Sequence, residues 1–138
     1  MHPYLDHDTC VRRLVEWHAR NGCIIVAFDF DNTVYDFHGR GHQYDEVEQL
    51  LRDAAAVGAF LIVFTGNEDT DLVRRHLAAR KIPYHAINEQ APFLTTSARK
   101  IYYNILLDDA AGLASACEHL RAYIEIVTRL NRNTGDTR

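Results

Sequence analysis

The chain of 138 residues has few cysteines and no long apolar run. Its three cysteines, Cys10, Cys23 and Cys117, are far apart and form no CxxC motif, so a reducing cytosol is favoured over secretion. The first nine residues contain Pro, Asp and His rather than the apolar stretch of a signal peptide. No apolar run approaches the roughly 20 residues that span a bilayer. These absences predict a cytoplasmic protein without a membrane partner.

The glycine-rich motifs of nucleotide-binding loops are also missing. The chain has no P-loop of the form GxxxxGK[ST], and Gly39-Arg40-Gly41 does not match the dinucleotide-binding motif GxGxxG. The formal net charge of −4 argues mildly against a nucleic-acid groove, although it leaves a local basic patch open. A hydrophobic fraction of 47% and a charged fraction of 25% are typical of globular rather than disordered proteins. We therefore expect one domain over residues 1–130 and a loose tail over residues 131–138.

Helical and strand patterns alternate along the chain. Apolar spacing and end signals predict helices over residues 8–20, 45–57, 69–80 and 113–130. Short apolar runs predict buried strands over residues 23–30, 60–64, 84–87 and 105–107. Residues 35–44 and 89–99 are expected to be loops. The alternation predicts an α/β fold with a doubly wound parallel sheet between two helical layers.

Polar residues follow three of these strands. They are Asp29 and Asp31 after the first, Thr65 and Gly66 after the second, and Asp108 and Asp109 after the fourth. Each pair alone fits an ordinary turn or helix cap. In parallel sheets, however, ligands bind beyond the carboxyl ends of the strands, where all three exits meet. Clustered carboxylates at that edge predict a divalent cation, and oxygen ligands favour Mg²⁺.

The first exit resembles the DxDxT(V/L) nucleophile motif of the haloacid dehalogenase-like (HAD) superfamily of phosphatases, since it reads Asp29-Phe30-Asp31-Asn32-Thr33-Val34. The second motif of that superfamily is similar to Phe64-Thr65-Gly66, and its acidic fourth motif to Leu106-Leu107-Asp108-Asp109. Lys100 is the candidate for the third motif. The resemblance covers about residues 23–120, which is nearly the whole domain.

The chemistry of phosphoryl transfer needs an in-line nucleophile and a proton for the leaving oxygen. Asp29 is placed to attack and form an aspartyl-phosphate, while Asp31 can serve as general acid and then as general base. The resemblance implies that the metal is bound by the Asp29 carboxylate and the main-chain carbonyl of Asp31. It also favours Asp109 over Asp108 as the direct metal ligand from the fourth strand.

The phosphate is expected to meet the Thr65 hydroxyl and the Gly66 N–H near the start of a helix. The chain has only two lysines, and Lys81 belongs at the opposite edge of the sheet. Lys100 is therefore the favoured phosphate-binding cation, with Arg99 as the alternative. Either residue would otherwise be interpreted as an ordinary solvent-exposed charge in a loop.

The spacing of the motifs leaves no room for a substantial cap domain. HAD enzymes that act on small metabolites usually carry such a domain after the first or second motif. Residues 33–60 and 65–100 accommodate only single helices, a short strand and loops. An open site suits a large phosphorylated substrate, or a small one enclosed by a second copy of the chain. The loop over residues 35–44, with Phe37, His38, Arg40 and His42, is expected to contact the leaving group.

Two other readings compete with a phosphatase. A response-regulator receiver domain also has an acidic metal pocket, but its acidic pair follows the first strand as adjacent residues, which does not match Asp29 and Asp31. A degenerate HAD domain that serves as a binding or regulatory module remains the alternative, although intact Asp29 and Asp31 argue against it.

Overall fold

The structure is a computed structural model that describes residues 1–135. A short 3₁₀ turn, Pro3–Leu5, precedes four helices: α1 (His7–Asn21), α2 (Asp45–Ala56), α3 (Thr70–Ala79) and α4 (Leu113–Gly135). Four strands alternate with the helices: β1 (Ile25–Phe28), β2 (Phe60–Val63), β3 (Ala86–Ile87) and β4 (Ile105–Leu107).

All four strands are parallel and form one sheet in the order β3-β2-β1-β4. In the register of this sheet, Phe28 at the end of β1 lies beside Val63 of β2 and Leu107 of β4. The three strands therefore end at the same level, and the residues that follow them meet at one edge. The predicted α/β fold with a parallel sheet is confirmed.

The two faces of the sheet are covered differently. Val26, Phe28 and their neighbours across the strands join one core cluster, to which all four helices contribute buried side chains. On the opposite face, Ile25 and Ile62 pack with Ala91, and no helical residue of the described chain joins this smaller cluster. The expected helical layer on this face is therefore replaced by the irregular segment between β3 and β4.

Several element ends differ from the predicted ones. Helix α1 begins at His7 rather than at residue 8, and Asp6 is its N-cap, because the Asp6 carboxylate accepts from the Thr9 N–H at 2.9 Å. The tail predicted from residue 131 is wrong as far as residue 135, because α4 continues to Gly135. Residues 136–138 of that predicted tail lie outside the described residues.

No additional domain is inserted into the described chain after either of the first two predicted motifs. Between β1 and β2 the chain forms a loop and α2, and between β2 and β4 it forms α3, β3 and the irregular segment. Across residues 1–135, no helix combines the length and apolar character that a membrane crossing requires.

Asn104 joins β1 to the start of β4. Its side-chain Oδ1 accepts from the Ile25 N–H at 2.7 Å, and its own N–H donates to the Ile25 carbonyl at 2.8 Å. Asn104 is buried, with a relative exposure of 7%. Removal of its side chain would therefore leave the Ile25 N–H without a partner at a place that water does not easily reach.

We expect Asn104→Ala to lower the free energy of unfolding by about 1–3 kcal/mol, the usual cost of an unsatisfied buried donor. Urea denaturation followed by circular dichroism measures this change. Asn131→Ala, at an exposed position of α4, is the matched control and should leave the stability nearly unchanged. Equal stability of the two variants would show that the Asn104 side chain does not hold the β1–β4 pair.

Candidate active site

The chain leaves β1 through a tight turn that begins at Asp29. The Asp29 N–H still belongs to the sheet, since it donates to the Leu107 carbonyl of β4 at 2.9 Å. Beyond it, the Tyr35 N–H donates to the Phe30 carbonyl at 3.1 Å, and the Asn32 N–H donates to the Tyr35 carbonyl at 2.7 Å. Asn32 has a φ of 64°, a left-handed conformation that asparagine tolerates better than most residues. This turn separates the Asp29 and Asp31 side chains.

Three carboxylates meet at the edge of the sheet. One oxygen from each of Asp29, Asp108 and Asp109 lies within 4.8 Å of the others. Thr33 is completely buried beneath them, and its Oγ1 lies 3.2 Å from both Asp29 Oδ2 and Asp109 Oδ1. The same Oγ1 accepts from the Asp109 N–H at 3.0 Å. The hydroxyl of the motif threonine therefore links the first and fourth strands, a role that the sequence analysis did not assign to it.

Burial raises the pKa of Asp29 to about 7, and the nearby Asp109 side chain and Asp108 charge act in the same direction. The Phe30 N–H opposes the rise by hydrogen bonding to the carboxylate. A carboxyl group with so high a pKa is ionised only at a cost when no positive charge is near. The cluster is therefore an environment that favours either a proton on Asp29 or a bound cation.

Asn67 connects Asp31 to the end of β2. Its Nδ2 donates to Asp31 Oδ1 at 3.1 Å, and its backbone N–H donates to Thr65 Oγ1 at 3.0 Å. The predicted residues Asp31 and Thr65 are thus brought together through a third residue, whose side chain bonds to Asp31 and whose backbone bonds to Thr65. The sequence analysis did not assign Asn67 to the site, although its place directly after Thr65 and Gly66 was a signal that it could lie there.

Asn88, at the end of β3, holds the backbone of Thr65. Its Oδ1 accepts from the Thr65 N–H at 2.9 Å, and its Nδ2 donates to the Thr65 carbonyl at 2.8 Å. Asn88 has a φ of 52°. One side chain therefore imitates a strand partner for Thr65 just beyond the sheet. Sequence reasoning missed this residue too, and its position directly after a strand was the available signal.

Gly66 lies beside these residues but outside the helix end that was expected to bind phosphate. Helix α3 begins at Thr70, and its N-cap Asp69 accepts from the Leu72 N–H at 3.0 Å. Gly66 therefore precedes the cap by three residues. A Cβ at Gly66 would meet no atom within 4 Å, so there is open space in front of this backbone.

The structure does not join the predicted cation to the carboxylates. Lys100 lies in the irregular segment, and its Nζ is 5.9 Å from the centroid of the Tyr103 ring. Arg99 is exposed next to it. Within residues 1–135, no ion pair connects any lysine or arginine with Asp29, Asp31, Asp108 or Asp109. The assignment of Lys100 or Arg99 to the phosphate stays a prediction.

The loop over residues 36–44 folds around Asp36. The Asp36 carboxylate accepts from the N–H groups of Arg40 and Gly41, at 3.1 and 2.7 Å, and from the Tyr44 hydroxyl at 3.4 Å. Beside this loop is a cavity of about 450 Å³, whose lining includes Asn32, Thr33, His42, Gln43, Tyr44 and Leu113. Because Thr33 contacts the carboxylate cluster, the cavity adjoins it. Phe37 and Arg40, which were expected to contact the leaving group, are exposed and do not line this cavity.

Comparisons of the chain with protein-family models, with curated proteins and with solved structures gave no match.

The raised pKa of Asp29 predicts how stability depends on pH when no metal is bound. A folded-state pKa of about 7, above the ordinary pKa of 3.8 for an aspartate, stabilises the fold at low pH, and this stabilisation is lost as the pH rises through 7. In the presence of a chelator, Asp29→Asn should therefore gain stability relative to the wild type between pH 4 and pH 8. Thermal unfolding at a series of pH values measures the gain.

The control for this experiment is Asp53→Asn, at an exposed position of α2, which should show no such gain. Added Mg²⁺ should restore the stability of the wild type at pH 8, because the ionised Asp29 carboxylate can then bind the metal. It should change the stability of Asp29→Asn much less, because that variant lacks this carboxylate. If the stability of the wild type and of Asp29→Asn changed with pH in the same way, the raised pKa of Asp29 would be refuted.

Proposed function

We propose that the chain is a Mg²⁺-dependent phosphomonoester hydrolase of the HAD type, in which Asp29 is the nucleophile and Asp31 the general acid and base. The observation that supports this proposal most is the convergence of Asp29, Asp108 and Asp109 within 4.8 Å of one another, with Asp31 held separately by Asn67. A purely structural role for these residues would have to offset the repulsion of three adjacent carboxylates.

The residues fit a hard divalent cation because they offer only oxygen donors, three carboxylates and a main-chain carbonyl, at one edge of the sheet. Asp29, the main-chain carbonyl of Asp31 and Asp109 would hold the ion, with Asp108 beside them. When bound, Mg²⁺ supplies positive charge that offsets the charge of the carboxylates and of the phosphoryl oxygens. The raised pKa of Asp29 is the feature of the metal-free protein that such a charge would reverse.

Asp29 attacks the phosphorus of the monoester, so that a bond forms between its carboxylate oxygen and phosphorus while the bond to the ester oxygen breaks. Asp31 gives its proton to the departing ester oxygen. The carboxylate of Asp31 then removes a proton from water, which attacks the aspartyl-phosphate and releases inorganic phosphate with regeneration of Asp29. The amide of Asn67 donates to Asp31 Oδ1, and this contact directs the carboxyl group away from the metal cluster.

The phosphate would be oriented by the Thr65 hydroxyl and the Gly66 N–H, in the open space that adjoins them. Asn88 supports this function because it fixes the Thr65 backbone through two hydrogen bonds. A preorganised donor pair costs little reorganisation when charge develops on the phosphoryl oxygens. The cation of this phosphate site stays a prediction, because no ion pair joins Lys100 or Arg99 to the carboxylates within residues 1–135.

The leaving group would enter the cavity beside Thr33, which offers imidazole, amide and hydroxyl groups from His42, Gln43 and Tyr44. No inserted domain encloses this cavity in residues 1–135, so the substrate is either a macromolecular phosphate ester or a small one covered by a second copy of the chain. The site thus remains open to bulky phosphorylated substrates.

Asp29→Asn should abolish turnover of an aryl phosphate in the presence of Mg²⁺, because an amide cannot form the acyl-phosphate. The change is nearly isosteric, so the far-ultraviolet circular dichroism spectrum should match that of the wild type. Retention of more than a few per cent of the wild-type kcat, with contaminating phosphatases excluded, would refute the nucleophile. A wild type that binds Mg²⁺ but turns over no phosphate ester would favour the binding-module alternative.

Asp31→Asn should lower kcat by about 10²–10⁴-fold, the usual contribution of a general acid or base. The loss should be larger for an alkyl phosphate, whose leaving oxygen needs a proton, than for an aryl phosphate with a good leaving group. Parallel assays of the two esters measure the difference, and Asp53→Asn serves as an exposed carboxylate control. An unchanged kcat with the alkyl ester would remove Asp31 from the mechanism.

The cavity residues His42 and Gln43 should affect binding rather than chemistry. Their replacement by Ala should raise KM for the true substrate several-fold while leaving kcat nearly unchanged, since binding common to ground and transition states is lost. The same variants should barely change KM for a small aryl phosphate, which does not fill the cavity. A fall in kcat for both substrates would instead mean that this loop supports the turn that contains Asp31.

A further inference from the structure

A second cavity lies apart from the carboxylate cluster. Its volume is about 340 Å³, and its lining includes Trp17, Thr95, Thr96, Lys100, Tyr102 and Tyr103. None of the four site aspartates lines it. The cavity is bounded by α1 and by the irregular segment before β4, and the proposed phosphatase chemistry uses none of these aromatic residues.

The wall of this cavity is aromatic. Trp17 of α1 stacks on Tyr102, with ring centroids 5.4 Å apart and planes inclined by 29°. Tyr102 keeps 37% of its surface exposed, and the partly buried Tyr103 lines the same space. Aromatic surfaces that solvent can reach are suited to stacking with a flat ring, and nucleobases stack on them with little sequence preference.

Charge at this cavity is positive. Lys100 is the one charged residue of its lining. Among residues 1–135 the Lys100 ammonium group forms no hydrogen bond or ion pair, and its only described contact is with the Tyr103 ring. Arg13 lies one helical turn from Trp17 on α1, and its Nη2 donates to the Asn104 carbonyl at 3.1 Å. An anionic group can therefore bind the Lys100 ammonium group without first displacing another partner from it.

The cavity wall is also held in place, although it contains neither helix nor strand. The amide of Gln90 donates to the carbonyls of Ala98 and Lys100, at 3.2 and 2.7 Å, and its Oε1 accepts from the Tyr102 N–H at 2.8 Å. One side chain thus ties three points of the segment. A wall that is ordered before binding lowers the entropy cost of ligand capture.

We propose that this cavity binds a nucleotide, with the base against Tyr102 and Tyr103 and the phosphate at the Lys100 ammonium group. The volume is at the lower end of the roughly 300–1,000 Å³ found for small-molecule sites, which fits a mononucleotide. Thr95 adds a hydroxyl group to the lining, and Thr96 Oγ1, which accepts from the Ala98 N–H at 3.1 Å, keeps its own O–H to donate to a polar edge of the ligand. The inference does not depend on the proposed phosphatase activity, because none of the four site aspartates lines this cavity. Lys100 is also the predicted phosphate-binding cation of the carboxylate site, so the effect of replacing Tyr102, rather than of replacing Lys100 alone, identifies this cavity as the binding site.

The test is a titration of the full chain with adenosine 5′-monophosphate. Binding is measured by calorimetry and by the fluorescence of Trp17, which is the only tryptophan. The Asp29→Asn variant is used so that the ligand is not consumed. Saturable binding that changes Trp17 fluorescence is the expected result. Adenosine should bind about ten-fold more weakly or worse, since a hydrogen bond to a charged group is lost.

Two variants separate the phosphate contact from the stacking contact. Lys100→Met should weaken binding of the nucleotide about ten-fold and leave adenosine unchanged, so that the variant no longer distinguishes the two ligands. Tyr102→Leu should weaken the binding of both the nucleotide and adenosine. Lys81→Met is the matched control, because Lys81 is the other lysine of the chain and is also exposed.

Lack of saturable binding by the nucleotide, or equal affinities of the nucleotide for Lys100→Met and Lys81→Met, would overturn the proposal. Inorganic phosphate that binds as tightly as the nucleotide would overturn it as well, since the base would then contribute nothing. Lys100→Gln gives a second test of the charge if Lys100→Met is poorly folded. Failure of turnover in the phosphatase assays leaves these binding results unaffected, and absence of binding leaves the phosphatase proposal unaffected.

Discussion

Repulsion among Asp29, Asp108 and Asp109 is the constraint on which the rest of this site depends. The sheet brings the three side chains together, because β1 and β4 are adjacent and end at the same level. Burial then makes the ionisation of Asp29 costly and raises its pKa to about 7. The fold is therefore compatible with this cluster only if hydrogen bonds hold the carboxylates and a proton or cation offsets their charge.

Hydrogen bonds from neighbouring residues meet part of that requirement. Thr33 lies between the Asp29 and Asp109 carboxylates, while Asn67 donates to Asp31 and keeps it apart from the cluster. Asn88 extends this support to Thr65. Two carboxylates that are close in sequence thus acquire different surroundings, since Asp29 is half-buried among like charges and Asp31 accepts a hydrogen bond from an amide. Such a division suits the separate tasks of nucleophile and proton donor.

The cavity beside Lys100 results from the way in which the two faces of the sheet are covered. All four helices contribute to the core on one face, so the segment between β3 and β4 must cover the other face. Ala91 and Leu94 of this segment bury Ile25 and Ile62, while Gln90 ties its later residues together. Lys100 and Tyr102 are left at the wall of a cavity, and Tyr103 lines the same cavity while it packs against the smaller core cluster. The segment that excludes water from this face of the sheet therefore also forms one wall of the cavity.

The sequence by itself determined the α/β alternation and the three polar strand exits, because apolar periodicity and a residue's place after a strand are local properties. It also indicated Asp29, Asp31, Asp108 and Asp109 as one group, since parallel strands end at a common edge. Only the tertiary structure decided that Asn67 and Asn88 support Asp31 and Thr65, because those contacts join residues far apart in the chain. The same holds for Lys100, which sequence elimination assigned to phosphate and which the structure places beside Tyr103. Its position depends on how an irregular segment packs against the sheet, and no periodic pattern encodes that packing.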